Sequence, residues 1–443
     1  MLPPAMLDRL FHLRDLGTTP RTEALAGVTT FLTMAYILFV QPTVLAAAGM
    51  DRGAVLTATC LASAAATLLM ALVANYPIGV APAMGHNFFF AFTVVVAKGT
   101  PWPVALGAVA VAGSIFILTA GIGLRERVIT AVPESLKHAI SVGIGLLIAL
   151  VGLEWAGIVV ASPGTLVKLG DLRTPPVLLA VGTLALMAVL LARRVRGAML
   201  LGMIVSATVG WGLGLAKFAG VVSWPPSLAP TFMKLDIVGA LRPALVDVVL
   251  VFFLLALFDS VGTLIAVASR IGVVQGGTLP RARQALLADA MGTVIGASLG
   301  TSTVTAYIES AAGVAAGGRS GLASVVTAAL FVLALFFYPL VSLIGAGYQA
   351  GDGVVLYPII APALVLVGVM MMEGVRHIPW DDLTEAIPAF LTLITMPLAV
   401  SITDGIAFGF IAYALVKVAV GRPRELDWLG YVFAVIFLVR YAW

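Results

Sequence analysis

The 443-residue chain is 61% hydrophobic and 10% charged, and its mean hydropathy of +1.10 excludes a soluble globular protein of this length. A net charge of +4 and a pI of 9.3 would suit nucleic acid, but membrane topology accounts for the basic residues, so no nucleic-acid partner is expected. The single cysteine, Cys60, excludes an intrachain disulfide framework and a cysteine metal site; no metal and no cofactor is expected.

Along the chain, Met1 to Pro20 sets Asp8, Arg9, Arg14 and Asp15 around Leu7, Leu10, Phe11 and Leu13, the pattern of a short interfacial helix rather than a cleavable leader. Apolar runs suited to a hydrocarbon core of roughly 30 Å follow at 25–47, 53–75, 78–97, 101–123, 134–153, 175–192 and 198–219. A second set lies at 242–266, 284–300, 302–318, 320–345, 355–373, 383–400 and 403–420. The chain is therefore expected to be an all-α polytopic membrane protein of about fourteen passes. With a cytoplasmic N-terminus, seventeen lysines and arginines fall inside, among them Arg125, Arg127, Lys137, Arg193, Arg194, Arg196 and Lys417, and seven fall outside. That asymmetry obeys the positive-inside rule, and one missed pass would scramble it.

The connection Lys217 to Leu241, with Trp224-Pro225-Pro226, divides the chain into seven passes on each side. An odd number per half gives the halves opposite orientation, the condition for an inverted repeat. Pro20-Arg21 opens pass one and Arg242-Pro243 opens pass eight, an offset of 221 residues that sets Asn87 opposite Ile308. Passes three and ten are also the irregular ones. Pass three is interrupted by Pro77, Pro82 and Gly85, and pass ten begins in Gly300-Thr301-Ser302-Thr303-Val304-Thr305. Paired broken segments in corresponding positions point to a transporter's binding site. Val80 to Gly85 and the β-branched run Thr301 to Thr305 are predicted to be extended, followed by half-helices over Phe88–Val96 and Tyr307–Ala316. Free amides at the half-helix starts would then face the membrane midplane.

Two acids within the apolar passes read as site residues. Asp259 sits well inside pass eight, where a carboxylate costs roughly 2.5–3.5 kcal/mol on insertion scales; Thr263 lies one turn away on the same face. Glu309 falls in the first turn of the pass-ten half-helix, a position that suits an anion. Each reads as a substrate-binding acid, against the alternatives of an interhelical packing acid for Asp259 and a helix cap for Glu309. Buried carboxylates also suit proton coupling, for which Asp259, Glu309 and His86 are the candidates. Asn87 offers an amide to a ligand edge, Phe88 and Tyr307 offer aromatic faces to a planar ring, and Gly85 breaks pass three beside them. Asp289 reads as a brace or a core acid, and Glu154, Asp352, Asp381, Asp382 and Asp404 as solvated helix-end acids. Gly296-Ala297-Ser298-Leu299-Gly300 fits the G-x-S-x-G hydrolase pattern, but at a membrane-helix end, without the strand-turn-helix setting that nucleophile requires. No P-loop or H-E-x-x-H motif is present, so an enzyme or an ATP-driven pump is not expected.

The chain resembles the azaguanine-like purine permease branch of the nucleobase-cation symporter family 2. The resemblance rests on Arg21-Thr22-Glu23-Ala24-Leu25-Ala26-Gly27-Val28-Thr29-Thr30-Phe31-Leu32-Thr33-Met34-Ala35-Tyr36, the phenylalanine-rich Asp259 segment and the Gly300 to Gly313 run. Leu279-Pro280-Arg281-Ala282-Arg283, Ala285 to Ala290 and Thr403-Asp404-Gly405-Ile406-Ala407-Phe408-Gly409 add to it. The resemblance implies the uracil-permease fold, with a 7+7 inverted repeat and two broken passes carrying short strands. A core domain (1–124 and 236–346) would move against a gate domain (125–235 and 347–443) in a homodimer. It also implies elevator-like, proton-coupled uptake of hypoxanthine, guanine or adenine, with Asp259 and Glu309 as substrate-binding acids and Asn87 and nearby pass-three backbone as helpers. Where the branch has Gly-Met-Gly-Leu-Asn-Ala-Tyr-Phe, this chain has Ala83-Met84-Gly85-His86-Asn87-Phe88-Phe89-Phe90, and it has Gln41-Pro42 in place of Asn-Pro. The histidine and bulkier rings are expected to narrow the pocket or alter the coupling. The alternative on the same fold is transport of a small organic or inorganic anion. In either case a multi-pass protein of the cell membrane, in contact with lipid, is expected.

Overall fold

The computed structural model describes residues 4–122, 132–272, 280–350 and 354–442; Arg125, Arg127, Leu279 and Asp352, used in the sequence reading, lie outside the described residues. Lipid offers no partner for exposed backbone groups, so an apolar chain satisfies them within helices. Eight helical stretches among the described residues are long and apolar enough to cross a membrane by themselves, and shorter apolar helices cover Met84–Ala97, Ala198–Gly212, Leu383–Ala399 and Trp428–Tyr441.

Pass one comprises α1 (Pro20–Met34) and α2 (Ile37–Ala47). It starts at Thr19, whose hydroxyl accepts the Thr22 amide at 3.2 Å, with Pro20 at the first helical position, where a missing N–H costs nothing. The helix α3 (Arg52–Leu69) follows. Pass three is a short strand, β1 (Val80–Pro82), then a helix, α4 (Met84–Phe88), continued by wider π turns over Phe89–Ala97. The elements that matter next are α5 (Glu134–Trp155), α6 (Val246–Ile271) and α7 (Ala282–Leu299). Pass ten repeats the strand-then-helix plan as β2 (Val304–Ala306) and α8 (Ser310–Ala315). Beyond it lie α9 (Gly321–Ala334), α10 (Ala361–Met371), α11 (Leu383–Ala399), α12 (Ile402–Ala419) and α13 (Trp428–Ala442).

Both extended segments form close to where the sequence predicts them, although helix already begins at Met84 rather than Phe88 and the second strand runs over Val304–Ala306 rather than Thr301–Thr305, and they pair with each other. The register is antiparallel, Val80 to Ala306, Ala81 to Thr305 and Pro82 to Val304. In a two-stranded ribbon every strand is an edge, which is where proline is tolerated. The ribbon is extended by Ala83 N–H to Thr303 O and Tyr307 N–H to Gly79 O, each 3.0 Å. Neighbouring hydroxyls take backbone groups that the ribbon leaves over. Thr67 on α3 holds both the amide and the carbonyl of Val80 at 3.0 Å, Thr293 on α7 donates to Val304 O at 2.8 Å, and Ser310 accepts from Gly79 N–H at 3.0 Å. Irregular backbone thus persists in the interior because its polar groups are paired.

The offset between the broken passes differs from the expected 221. The strands start 224 residues apart (304 − 80) and the half-helices 226 apart (310 − 84). Ala83 and Glu309 therefore hold the matching helix-cap places, and Asn87 does not stand opposite Ile308. Connecting segments of unequal length shift the correspondence as it passes from helix starts to the crossing. Pass ten lies directly on pass one: a Cβ at Gly313 would sit 2.0 Å from Thr30 Oγ1 and 2.7 Å from Ala26 O, so only glycine permits that approach.

Residues 427–443, unassigned by the sequence reading, contain α13. It runs back along α12, packing Phe433 and Phe437 on Phe410. Near its end, Arg440 Nη1 lies 2.6 Å from Asp404 Oδ1 and Arg440 Nε 2.8 Å from Asp247 Oδ2, which Lys98 Nζ also meets at 2.7 Å. Tyr441 donates to Asp404 at 2.7 Å. Asp404 is consequently a member of an ion network rather than a solvated helix-end acid, because the helix that brings its cation lies beyond the predicted passes. Ser298, the would-be nucleophile, sits inside α7 and donates to Val294 O at 2.8 Å, as a helix-bonded serine does.

Candidate functional site

The strand crossing opens onto a hollow with two lobes. The smaller, of about 170 Å³, is lined by Ala83, Met84 and Gly85 of pass three, Thr305 to Glu309 of pass ten, Asp259 and Thr263 of α6, Tyr36 of pass one, and Val367, Met370 and Met371 of α10. The larger, of about 490 Å³, shares Gly85, Asp259, Thr263, Ile308 and Met371 and continues past His86 and Ile144 toward Glu134, Lys137 and His138 at the start of α5. The combined volume suits a small planar ligand, for which sites of several hundred Å³ are usual.

Each acid is held by a protein hydroxyl at one oxygen. Tyr36 donates to Glu309 Oε1 at 2.7 Å and Thr305 donates to Asp259 Oδ2 at 2.9 Å. Among the described residues, no other side chain hydrogen-bonds to either carboxyl. The hollow therefore presents two acceptors from two acids and, in its smaller lobe, no described cation. Such a wall attracts N–H donors and opposes an anion. The rest of the lining is largely apolar and includes Met84, Met370 and Met371, whose thioethers can lie against a ring.

Asp259, Glu309, Thr263, Tyr307 and Gly85, expected to form the site, meet in this hollow. Tyr307 is 5% exposed and spends its hydroxyl on Pro82 O at 2.5 Å, so it braces the ribbon more than it offers a face. His86 lines only the larger lobe. Asn87 and Phe88 are fully buried and line neither lobe. Asn87 instead meets Ser302, which also receives Gln41 Nε2 at 3.3 Å. Phe88 stacks on Phe92 and Phe89 meets Phe252 edge-on. The expectation that the bulkier rings of pass three narrow the pocket is thus corrected, because the helix turns them into the packing behind the crossing. Asp289 braces the site: fully buried on α7, it accepts from Ser260, the neighbour of Asp259.

Tyr36, Thr305 and the α10 methionines were not singled out from the sequence. Tyr36 stands in the apolar run Phe31-Leu32-Thr33-Met34-Ala35-Tyr36-Ile37, and nothing local distinguishes it from a packing residue. The alternation of β2 was a signal for Thr305, since it puts Thr305 on the face opposite Val304.

A family profile described as "Permease family" (Xan_ur_permease) matches residues 21–408. Among curated proteins, a protein of Methanocaldococcus jannaschii named as a permease without a substrate is 50% identical, covering 99% of this chain and 98% of its own length. The adenine permease AdeP of Escherichia coli K12 is 44% identical over 98% of this chain and 96% of its own, and the guanine/hypoxanthine permease PbuG of Bacillus subtilis 168 is 44% identical over 98% and 99%. Among solved structures, the transmembrane domain of the cyanobacterial bicarbonate transporter BicA is similar in fold, with a TM-score of 0.61 at 14% identity over 88% of this chain and 97% of that one. With a profile across most of its length and full-length relatives well above 30% identity, this chain belongs to the permease family of nucleobase-cation symporters, family 2, and is a multi-pass membrane transporter, not an enzyme.

Proposed function

We propose that the protein carries purine nucleobases, adenine, guanine or hypoxanthine, into the cell together with protons. The observation that carries the reading is the pair of carboxyls on one hollow, each with one oxygen engaged by a hydroxyl and one left for a ligand. A purine base offers ring and exocyclic N–H groups on one edge and a flat face for the methionine wall. The names of the relatives AdeP and PbuG support the same substrate class. In this reading Asp259 and Glu309 bind the base, Thr263, Tyr307 and Gly85 complete the lobe, and one of the acids or His86 takes up the proton.

The arrangement proposed around this site has fourteen passes as two inverted sevens, a cytoplasmic N-terminus, and homodimers in the cell membrane. The core, residues 1–124 and 236–346, would move as an elevator against the gate, residues 125–235 and 347–443. The hollow supports that division, since its acids come from the core and Ile144, Val367, Met370 and Met371 come from the gate. The small-anion alternative draws on fold likeness alone, and two acids in the lobe oppose it. Purified protein in liposomes tests the coupling: uptake of labelled adenine, guanine or hypoxanthine is expected to accelerate several-fold when the interior is made alkaline, and to lose that gain with a protonophore. Uptake of a base that ignores the imposed gradient would remove protons from the mechanism.

A further inference from the structure

We infer that Tyr36 is a positioning residue, which fixes Glu309 with one oxygen engaged and the other turned to the ligand and so sets the affinity of the site for N–H-bearing ligands. The inference rests on the nucleobase reading above. Pass one is broken at Ala35–Tyr36, between α1 and α2, and the tyrosine ring reaches the smaller lobe from that break while staying 2% exposed. Its hydroxyl donates to Glu309 Oε1 at 2.7 Å.

The same turn packs against the main chain of its partner. Thr33, three residues earlier, spends its hydroxyl chiefly on Thr30 O at 2.8 Å and comes within 3.3 Å of Glu309 O, while the contact at Gly313 presses α8 onto α1 one turn further along. The carboxyl of Glu309 is held from pass one and its helix packs closely there, and among the described residues no other side chain hydrogen-bonds to this carboxyl. Tyr307 lines the same lobe but donates to Pro82 O, so the two tyrosines differ in what they hold. A glutamate without this anchor would sample several rotamers, and ordering it on binding costs affinity. An anchored one is pre-organised.

The test compares Tyr36→Phe with Tyr307→Phe in liposome uptake of adenine, guanine and hypoxanthine. Tyr36→Phe is expected to raise KM about tenfold while Vmax stays within about twofold, the signature of lost binding rather than lost turnover. A ligand-independent readout accompanies it. The infrared carboxyl band assigned to Glu309 by its loss in Glu309→Gln is expected to shift in Tyr36→Phe and to stay in place in Tyr307→Phe. An unchanged KM with an unmoved band would overturn the assignment, as would equal falls in Vmax for both tyrosine variants with an unmoved band. If the wild-type protein takes up none of the three bases, the nucleobase reading falls, and the infrared comparison alone decides the role of Tyr36.

Discussion

Asp259→Asn and Glu309→Gln are each expected to cut nucleobase uptake about a hundredfold at unchanged membrane abundance. Both substitutions keep size and leave an oxygen for the hydroxyl already bound, Thr305 or Tyr36. The amide NH2 then occupies the place of the free oxygen and opposes a ligand N–H with another donor. A hydrogen bond to a charged group is worth about 1.5–3 kcal/mol, and setting donor against donor adds to the loss, so a fall near two orders of magnitude follows. Initial rates across a substrate range, with surface abundance measured in parallel, check it. Uptake within threefold of wild type in both variants would show that the acids do not read the substrate.

Arg440→Met is expected to destabilise the folded protein by about 2 kcal/mol, roughly half the 3–5 kcal/mol typical of breaking a fully buried pair, because the Arg440 and Asp404 side chains are 21% and 26% exposed. Methionine fills the volume but leaves Asp404 without a cation and Asp247 with Lys98 in place of two cations. The melting temperature should fall by several degrees, and Arg440→Lys should recover part of the loss, since it restores the charge but not the two-pronged reach. In the proposed division, Lys98 and Asp247 belong to the core and Asp404 and Arg440 to the gate, so the variant should also alter the rate of exchange between them. An unchanged melting temperature would mean that the network adds nothing to the fold.

The parts of the site that sequence made legible are those that violate the chemistry of lipid. A carboxylate in the phenylalanine-rich run around Asp259 and a hydroxyl run broken by glycines before Glu309 are costly there, and both lead to the hollow. Pro82 and the β-branched Thr301 to Thr305 likewise announce extended backbone, and the structure pairs β1 with β2. Polarity alone does not say which wall a side chain faces. Asn87 is as polar as the site demands, yet it accepts from Ser302, which Gln41 also meets, behind the crossing. Tyr36 and Met371 carry no such mark, since their places depend on how pass one breaks and how α10 lies against the crossing. The helix α13 was illegible for a related reason: at 15 residues, with Arg440 in its last turn, it falls short of the roughly 20 expected of a spanning segment.

Equilibrium binding to the purified protein, with adenine, guanine, hypoxanthine and bicarbonate as separate ligands, tests the central claim most directly. At least one purine base is expected to bind and to raise the melting temperature with concentration, to lose that binding in Asp259→Asn and in Glu309→Gln, and to find no competitor in bicarbonate. Binding of bicarbonate with none of the bases, or a base bound equally well by both acid variants, would contradict it.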